Sequence, residues 1–393
     1  MLTAPGPPRR LIALDGLRGV AALVVMFHHI YLVAVPFLRR AGGSAPGSPY
    51  WWVSETPLKI LTAGTEAVLV FFVLSGLVVA LPALSTARFS WSGFLSGRIA
   101  RIYLPVWASL LLGTVLVWLI PRNRLAVSNG SWVADRNATS TTVLDALRQG
   151  SLTTASYDIN NVLWSLRWEM VFSVLLPLFV AVAVLVRRRW TLIVVTAGAA
   201  LIVSFLGVLT HIDALRYLPV FLLGTLMAVR LEDIRRWAER SLKRRREHIG
   251  TISLVAGSVV LLLAHWLFQT IAPWGTLADS ALTQLAIPGA VGLVVAAIGV
   301  PLLRRALESR SSQWLGRISF SLYLVHVPIL VTLTFLLGDD RWWLVALLAV
   351  PLSLGVGWSF YRVVERPSHR LARHTARGVA GAVARVSARL TTP

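Results

Sequence analysis

The strongest constraint on this chain is the recurrence of apolar runs of roughly 20 residues along nearly its whole length. A run of that length crosses the hydrocarbon of a bilayer as a helix rising about 1.5 Å per residue. Every backbone N–H and C=O in hydrocarbon needs a protein partner, which leaves helices or closed barrels as spanning structures. Continuous apolar runs, in place of strict polar–apolar alternation, select helices. About ten spans are read, near 12–37, 62–84, 102–120, 162–186, 190–209, 214–230, 250–271, 282–303, 318–337 and 343–362. The expected fold is all-α, a polytopic integral membrane helix bundle. Only 14% of residues are charged, against about 25% in an average soluble domain.

Net charge is +21, which in a soluble chain would suggest nucleic acid. Its distribution argues otherwise. With both termini in the cytoplasm, the inner segments hold 27 Lys and Arg and the outer segments nine. That bias is the positive-inside signal, and it sets the expected orientation. The excess charge is therefore assigned to topology and to anionic lipid headgroups, and no nucleic-acid partner is expected. The first span is too long for a cleavable signal peptide and lacks a small-residue cleavage site. Basic residues are arginine except Lys59 and Lys243, a habit of GC-rich bacterial genomes. The expected location is thus a bacterial cytoplasmic membrane, with several passes.

No cysteine is present, so disulfides, thiolate metal sites and a cysteine nucleophile are excluded, and no metal is expected. Residues 1–370 read as one membrane domain and 371–393 as a short, basic, disordered cytoplasmic tail. The polar stretch 121–161 reads as the longest outer loop, large enough for a lid or an acceptor site. No internal repeat is evident, which weakens a transporter built from inverted halves.

Ionisable side chains within spans are costly and mark function. Asp15 and Arg18 lie three apart on the first span, spaced to pair on one helical face. His29 follows Arg18 at a spacing that returns to within about 20° of the same face and about 16 Å further along the axis. The adjacent His28 points elsewhere. Arg98 and Arg101 share one face at the cytoplasmic start of the third span. They suit bidentate phosphate binding, and read equally as topology determinants. Glu169 lies about 10 Å inside the fourth span from the outer side. It needs a partner or a proton, with His29 at comparable depth, and a salt bridge to Arg167 or to another helix as the simpler reading. Ser75 and Gly76 read as small packing residues. Ser319, Tyr323 and His326 share one side of the ninth span, either lining a cavity or bonding neighbouring helices.

Together these segments resemble the bacterial membrane acyltransferase family 3. Arg18 and His29 match its Arg-x10-His pattern, and Arg98 and Arg101 its Arg-x-x-Arg pattern. Trp164-Ser165-Leu166, Glu169 and Phe172 match a third segment. Ser319 to Pro328 match a fourth, with Phe320 in place of the usual tyrosine. Tyr361, Arg362, Glu365 and Pro367 match the closing segment. The resemblance implies O-acyl transfer, often of acetyl, from cytoplasmic acyl-CoA to a hydroxyl of a carbohydrate or secondary metabolite. Acyl-CoA is then a co-substrate, with no tightly bound cofactor. The implied roles are His29 as base, Arg18 and Asp15 setting the local field, and Glu169 orienting His29 or the acceptor. Arg98 and Arg101 would grip the donor. A carrier or flippase for a lipid-linked or polar metabolite is the alternative, with the buried charges lining its path.

Overall fold

The computed structural model describes residues 11–86, 89–154, 156–243, 247–272 and 274–391. Among them the long helices are α1 (Ile12–Arg40), α2 (Gly64–Ser85), α3 (Trp91–Leu119), α4 (Leu163–Val186), α5 (Trp190–Leu209) and α6 (Asp213–Val229). There follow α7 (Leu231–Lys243), α8 (Glu247–Leu262), α9 (Ala286–Gly299), α10 (Arg310–Leu337), α11 (Trp342–Phe360) and α12 (Arg366–Thr391). No strand occurs among the described residues.

Among the described residues eight helical stretches are long and apolar enough to cross a membrane, with a ninth where α6 and α7, bent by 65°, are taken as one span. The chain is therefore a multi-pass helical membrane bundle. Three expectations need correction. The third helix begins at Trp91, well before 102, because the Ser90 hydroxyl accepts from the Gly93 N–H and caps it there. The seventh apolar run is short and broken, with Ile252–Leu262 its apolar helix. The segment after 370, expected to be a disordered tail, is helical as far as Thr391. It is α12, whose Ala372, Ala376 and Ala380 lie against Gly93 and Gly97 of α3.

Burial ranks the helices from centre to rim. The apolar window of α10 is 78% buried, whereas that of α5 is 22% buried and turns its side chains to lipid. Without a hydrophobic drive between helices in lipid, small residues let the backbones close in. Glycine is required where α1 crosses α10: a Cβ on Gly316 would collide with the Asp15 carbonyl oxygen. A second such crossing joins α2 to α6, where Gly76 abuts Phe221 and Gly224 abuts Val73. Beside it Phe221 stacks between Phe72 and Phe172, with both centroid distances 4.6 Å.

The stretch between α3 and α4 is a fitted cap, anchored by buried polar groups. Pro328 in α10 has no N–H, so the Leu324 carbonyl four residues earlier loses its helical donor. The fully buried Asn160 Nδ2 donates to that carbonyl at 2.8 Å. Arg122 Nη1 donates to Ala138 O at 2.6 Å, and the Ser128 N–H to Asp339 Oδ2 at 2.6 Å. Burial pushes the Arg122 guanidinium down to about 10, which leaves it protonated at neutral pH.

Leucine at position 224 would drive a side chain into the Val73 carbonyl. Overpacking of this kind costs about 1–3 kcal/mol. Gly198 meets nothing within 4 Å and serves as the control. Thermal melts in detergent should show Gly224→Leu well below wild type and Gly198→Leu unchanged. Equal melting of the two variants would contradict this packing.

Candidate active site

The α1 helix aims His29 into the bundle, where it is 7% exposed. His29 Nδ1 lies 2.9 Å from Val25 O and 3.1 Å from His326 Nε2. His326 Nδ1 lies 2.9 Å from Leu322 O. A carbonyl only accepts, so each Nδ1 carries the proton, an assignment made from partners. His326 Nε2 then has the lone pair that accepts from His29 Nδ1–H. His29 Nε2 is left with a free lone pair, the form a general base requires.

His28 is used differently. Its Nδ1 donates to Thr62 O at 2.9 Å, and its ring fills the space beside Gly64 at the start of α2. Next to it lies Lys59, fully buried, with its ammonium 4.1 Å from the centroid of Tyr31 and 3.7 Å from that of Trp266. Burial pushes Lys59 down to about 8, against the attraction of Glu66.

Towards the arginine-rich end lies a second polar cluster. Arg98 Nη2 donates to Glu169 Oε1 at 2.7 Å, and Arg98 Nε to Ser173 Oγ at 3.1 Å. Ser75 Oγ donates to the same Glu169 oxygen at 3.4 Å. Two expectations change here. Glu169 does not orient His29, whose partners are Val25 and His326; it neutralises Arg98. Nor is Arg98 an open phosphate grip, because its guanidinium already serves a carboxylate and a hydroxyl. Arg167, the simpler partner considered for Glu169, donates instead to Thr154 O at 3.3 Å.

Arg18 lies beside this pair and lines two small cavities. One, of about 50 Å³, is shared with Ser75, Arg98, Arg101, Glu169 and Phe320. The other, of about 30 Å³, is shared with Ser165, Ser319 and Tyr323. Asp15 lines neither; its backbone instead meets Gly316 at the α1–α10 crossing. Tyr323 and Ser165 are hydrogen-bonded at 2.6 Å, and the Tyr323 and His326 rings lie 6.0 Å apart. His326 is fully buried and lines neither cavity. At the basic end the chain forms a π-helical turn at Tyr361–Glu365. Such turns recur at functional sites, and this one presents Glu365 to Ser321 Oγ at 2.5 Å.

Larger cavities flank this core at both ends. A cleft of about 690 Å³ opens between α2, α3 and α12. It carries Arg98, Arg101, Arg373 and Arg377 with apolar walls from Phe89, Phe94 and Val79, and no carboxylate among the described residues lines it. At the opposite end a polar cavity of about 650 Å³ lies within the cap, and Trp132 lines it. The Trp132 ring centroid is 5.0 Å from that of His29. From cleft to cap the order is Arg101, Arg18, Tyr323, His326, His29, Trp132.

Sequence reasoning took Ser75 for packing alone, named Ser165 only within a matching segment, and missed Ser173, Trp132, Arg373 and Arg377. A serine in an apolar helix reads as packing until its partner is known. The two arginines read as topology because their segment was taken for a tail. Asn160 left a usable signal, since Pro328 on an apolar helix demands a donor from elsewhere.

Comparison with known proteins bears on the chemistry. The "Acyltransferase domain" family matches residues 11–362. Acyltransferase MdmB of Streptomyces mycarofaciens is 28% identical over 397 residues, covering 93% of this chain and 94% of that protein. Acyltransferase R4 of a Phoma species is 23% identical over 406 residues, covering 84% of each. No solved structure matches. A match over nearly the whole chain settles the kinship: the protein belongs to acyltransferase family 3 and is a membrane enzyme that transfers acyl groups.

Proposed function

We propose that this enzyme moves an acetyl group from cytoplasmic acyl-CoA, across the bundle, to a hydroxyl of a carbohydrate or secondary-metabolite acceptor. Its place would be a bacterial cytoplasmic membrane. The observation that carries the reading is the row of cavities running from an arginine-lined cleft to Tyr323, whose ring lies 6.0 Å from that of His326, the partner of His29. Coenzyme A has an anionic nucleotide end and a slender, less polar arm. The cleft matches both, with the guanidiniums of Arg101, Arg373 and Arg377 beside apolar walls. Arg101, Arg373 and Arg377 take the phosphates in this scheme. The arm enters past Arg18 towards Tyr323, after side-chain movement at Phe320 and Tyr323 widens the neck.

The chemistry is direct transfer. His29 Nε2 takes the proton as the acceptor oxygen attacks the thioester carbonyl. The new C–O bond forms, the C–S bond breaks, and the thiolate leaves as free coenzyme A once protonated. His326 fixes the His29 tautomer and shares the positive charge that develops on it. Arg18, beside the Glu169–Arg98 pair, offers a fixed cation to the thioester or its phosphates.

Removing the base should cost about 10²–10⁴ in kcat. His29→Ala, assayed by labelled acetyl transfer and by release of free coenzyme A, is expected to lose that much while donor KM stays within about twofold. Wild-type turnover in His29→Ala would end the base assignment. Release of no coenzyme A by the native enzyme would favour the carrier reading.

The donor cleft makes a separate demand. Arg373→Ala/Arg377→Ala should raise donor KM about tenfold and leave kcat nearly unchanged, as lost charge-assisted contacts of about 1.4 kcal/mol require. An unchanged KM would remove α12 from the donor site.

The Arg98–Glu169 pair tests structure against chemistry. Breaking it from one side, as in Glu169→Met, leaves a buried charge and should cost about 3–5 kcal/mol. The double variant Arg98→Met/Glu169→Met should regain most of the thermal stability without regaining transfer. Recovery of transfer would show that the pair serves the fold alone.

A further inference from the structure

We propose that the cavity under the cap is a binding subsite for a neutral, polyhydroxylated ring, which it holds on the far side of Trp132 from His29. This rests on the transfer reading above for its purpose, and on the cavity itself for its chemistry. At about 650 Å³ it falls within the roughly 300–1,000 Å³ of small-ligand sites.

The two ends of the path differ in charge. Among the described residues the cleft against α12 has four arginines and no acidic residue in its lining. The cap cavity has two arginines, Arg124 and Arg136, set against two aspartates, Asp135 and Asp158. Balanced charges give an anion no net attraction. What remains is a mixture of donors and acceptors, the array that matches hydroxyl groups, each of which both donates and accepts.

These groups are available. The side chains of Arg124, Asp135, Arg136 and Asn161 make no hydrogen bond or ion pair with another described residue. Asp158 spends one oxygen on Gln149 Nε2 at 2.5 Å and keeps the other. Asn137 spends its amide nitrogen on Trp132 O and Val133 O and keeps its oxygen. The frame around them is fixed, because Ala138 N–H donates to Asp158 O at 3.0 Å and Arg122 holds Ala138 O. Trp132 and Trp164 add indole rings on which the C–H face of a saturated ring can lie.

Trp132 gives the site its direction. Its indole lines the cavity and also lies against His29. A ring bound in the cavity thus has one tryptophan between its hydroxyls and the proposed base. Rotation of that side chain brings a hydroxyl to His29 Nε2 and leaves the rest of the ring in place.

The test uses the full chain in nanodiscs and reads amide hydrogen exchange, so it does not depend on turnover. Methyl β-glucopyranoside and methyl α-rhamnopyranoside are expected to slow exchange in 132–140 and 156–162, and glucose 6-phosphate is not. Asp135→Asn/Asn161→Ala should weaken half-saturation by the neutral glycosides about tenfold, as the loss of one or two hydrogen bonds implies. Its melting temperature should not change, since neither side chain holds the fold. No protection by either neutral glycoside, equal protection by the phosphate, or unchanged half-saturation in the double variant would overturn the proposal. Protection without acetyl transfer to any glycoside would leave the subsite standing and remove the transfer reading.

Discussion

One ion pair anchors the charged interior of this bundle. Arg98 and Glu169 meet at 2.7 Å with side chains only 10% and 18% exposed. Neither charge is tolerable alone among apolar helices, because losing hydration costs several kcal/mol per ion unless geometry and hydrogen bonds repay it. Ser173 and Ser75 supply those further bonds. The pair ties α3 to α4 and balances charge beside Arg18, which lines the same cavity. Arg18 is thereby kept beside a compensated pair, where a lone carboxylate would have bound it directly. A cation with its field still available is what an anionic substrate or a developing negative charge can use.

Close approach of helices makes the rest possible. Gly316 lets α10 reach α1, and that crossing sets the depth at which His326 meets His29. A methyl group at the crossing would separate the helices and lengthen the 3.1 Å contact between the imidazoles. The proline that follows on α10 would leave a carbonyl bare in the most buried helix, so the cap supplies Asn160. Packing, backbone satisfaction and the histidine pair are in this way three consequences of one helix segment, Gly316–Pro328.

Much of this was legible in the sequence, and the reasons for the failures are physical. Helix phase alone put His29 with Arg18 and turned His28 aside, because periodicity is a local property. The all-α membrane class followed from hydropathy. Span number was less secure, since α6 and α7 bend by 65° and α8 is short. The partner of Glu169 was left open, between His29, Arg167 and another helix, for a different reason. Glu169 had a histidine at similar depth, but depth does not say which helix lies alongside, and α3 does. The basic segment after 370 looked like a topology signal and a tail. Its alanines at spacing four were the overlooked sign of a packed face, visible once Gly93 and Gly97 lie opposite them.

The contrast between the two ends argues for how such a scaffold is used. The arginine cleft is built from three helices, two of them in glycine–alanine contact, so its guanidiniums stand on rigid supports. The opposite cavity is built from a connecting segment and Trp164 of α4, the segment pinned at Arg122, Ser128 and Asn160 and otherwise free to vary between anchors. Loops on a rigid scaffold are where binding specificity changes most cheaply. A donor common to many reactions suits the helical end, and an acceptor particular to one enzyme suits the loop. The buried row from Arg18 to His29 belongs to neither substrate alone, and the costly residues that sequence makes conspicuous are concentrated there.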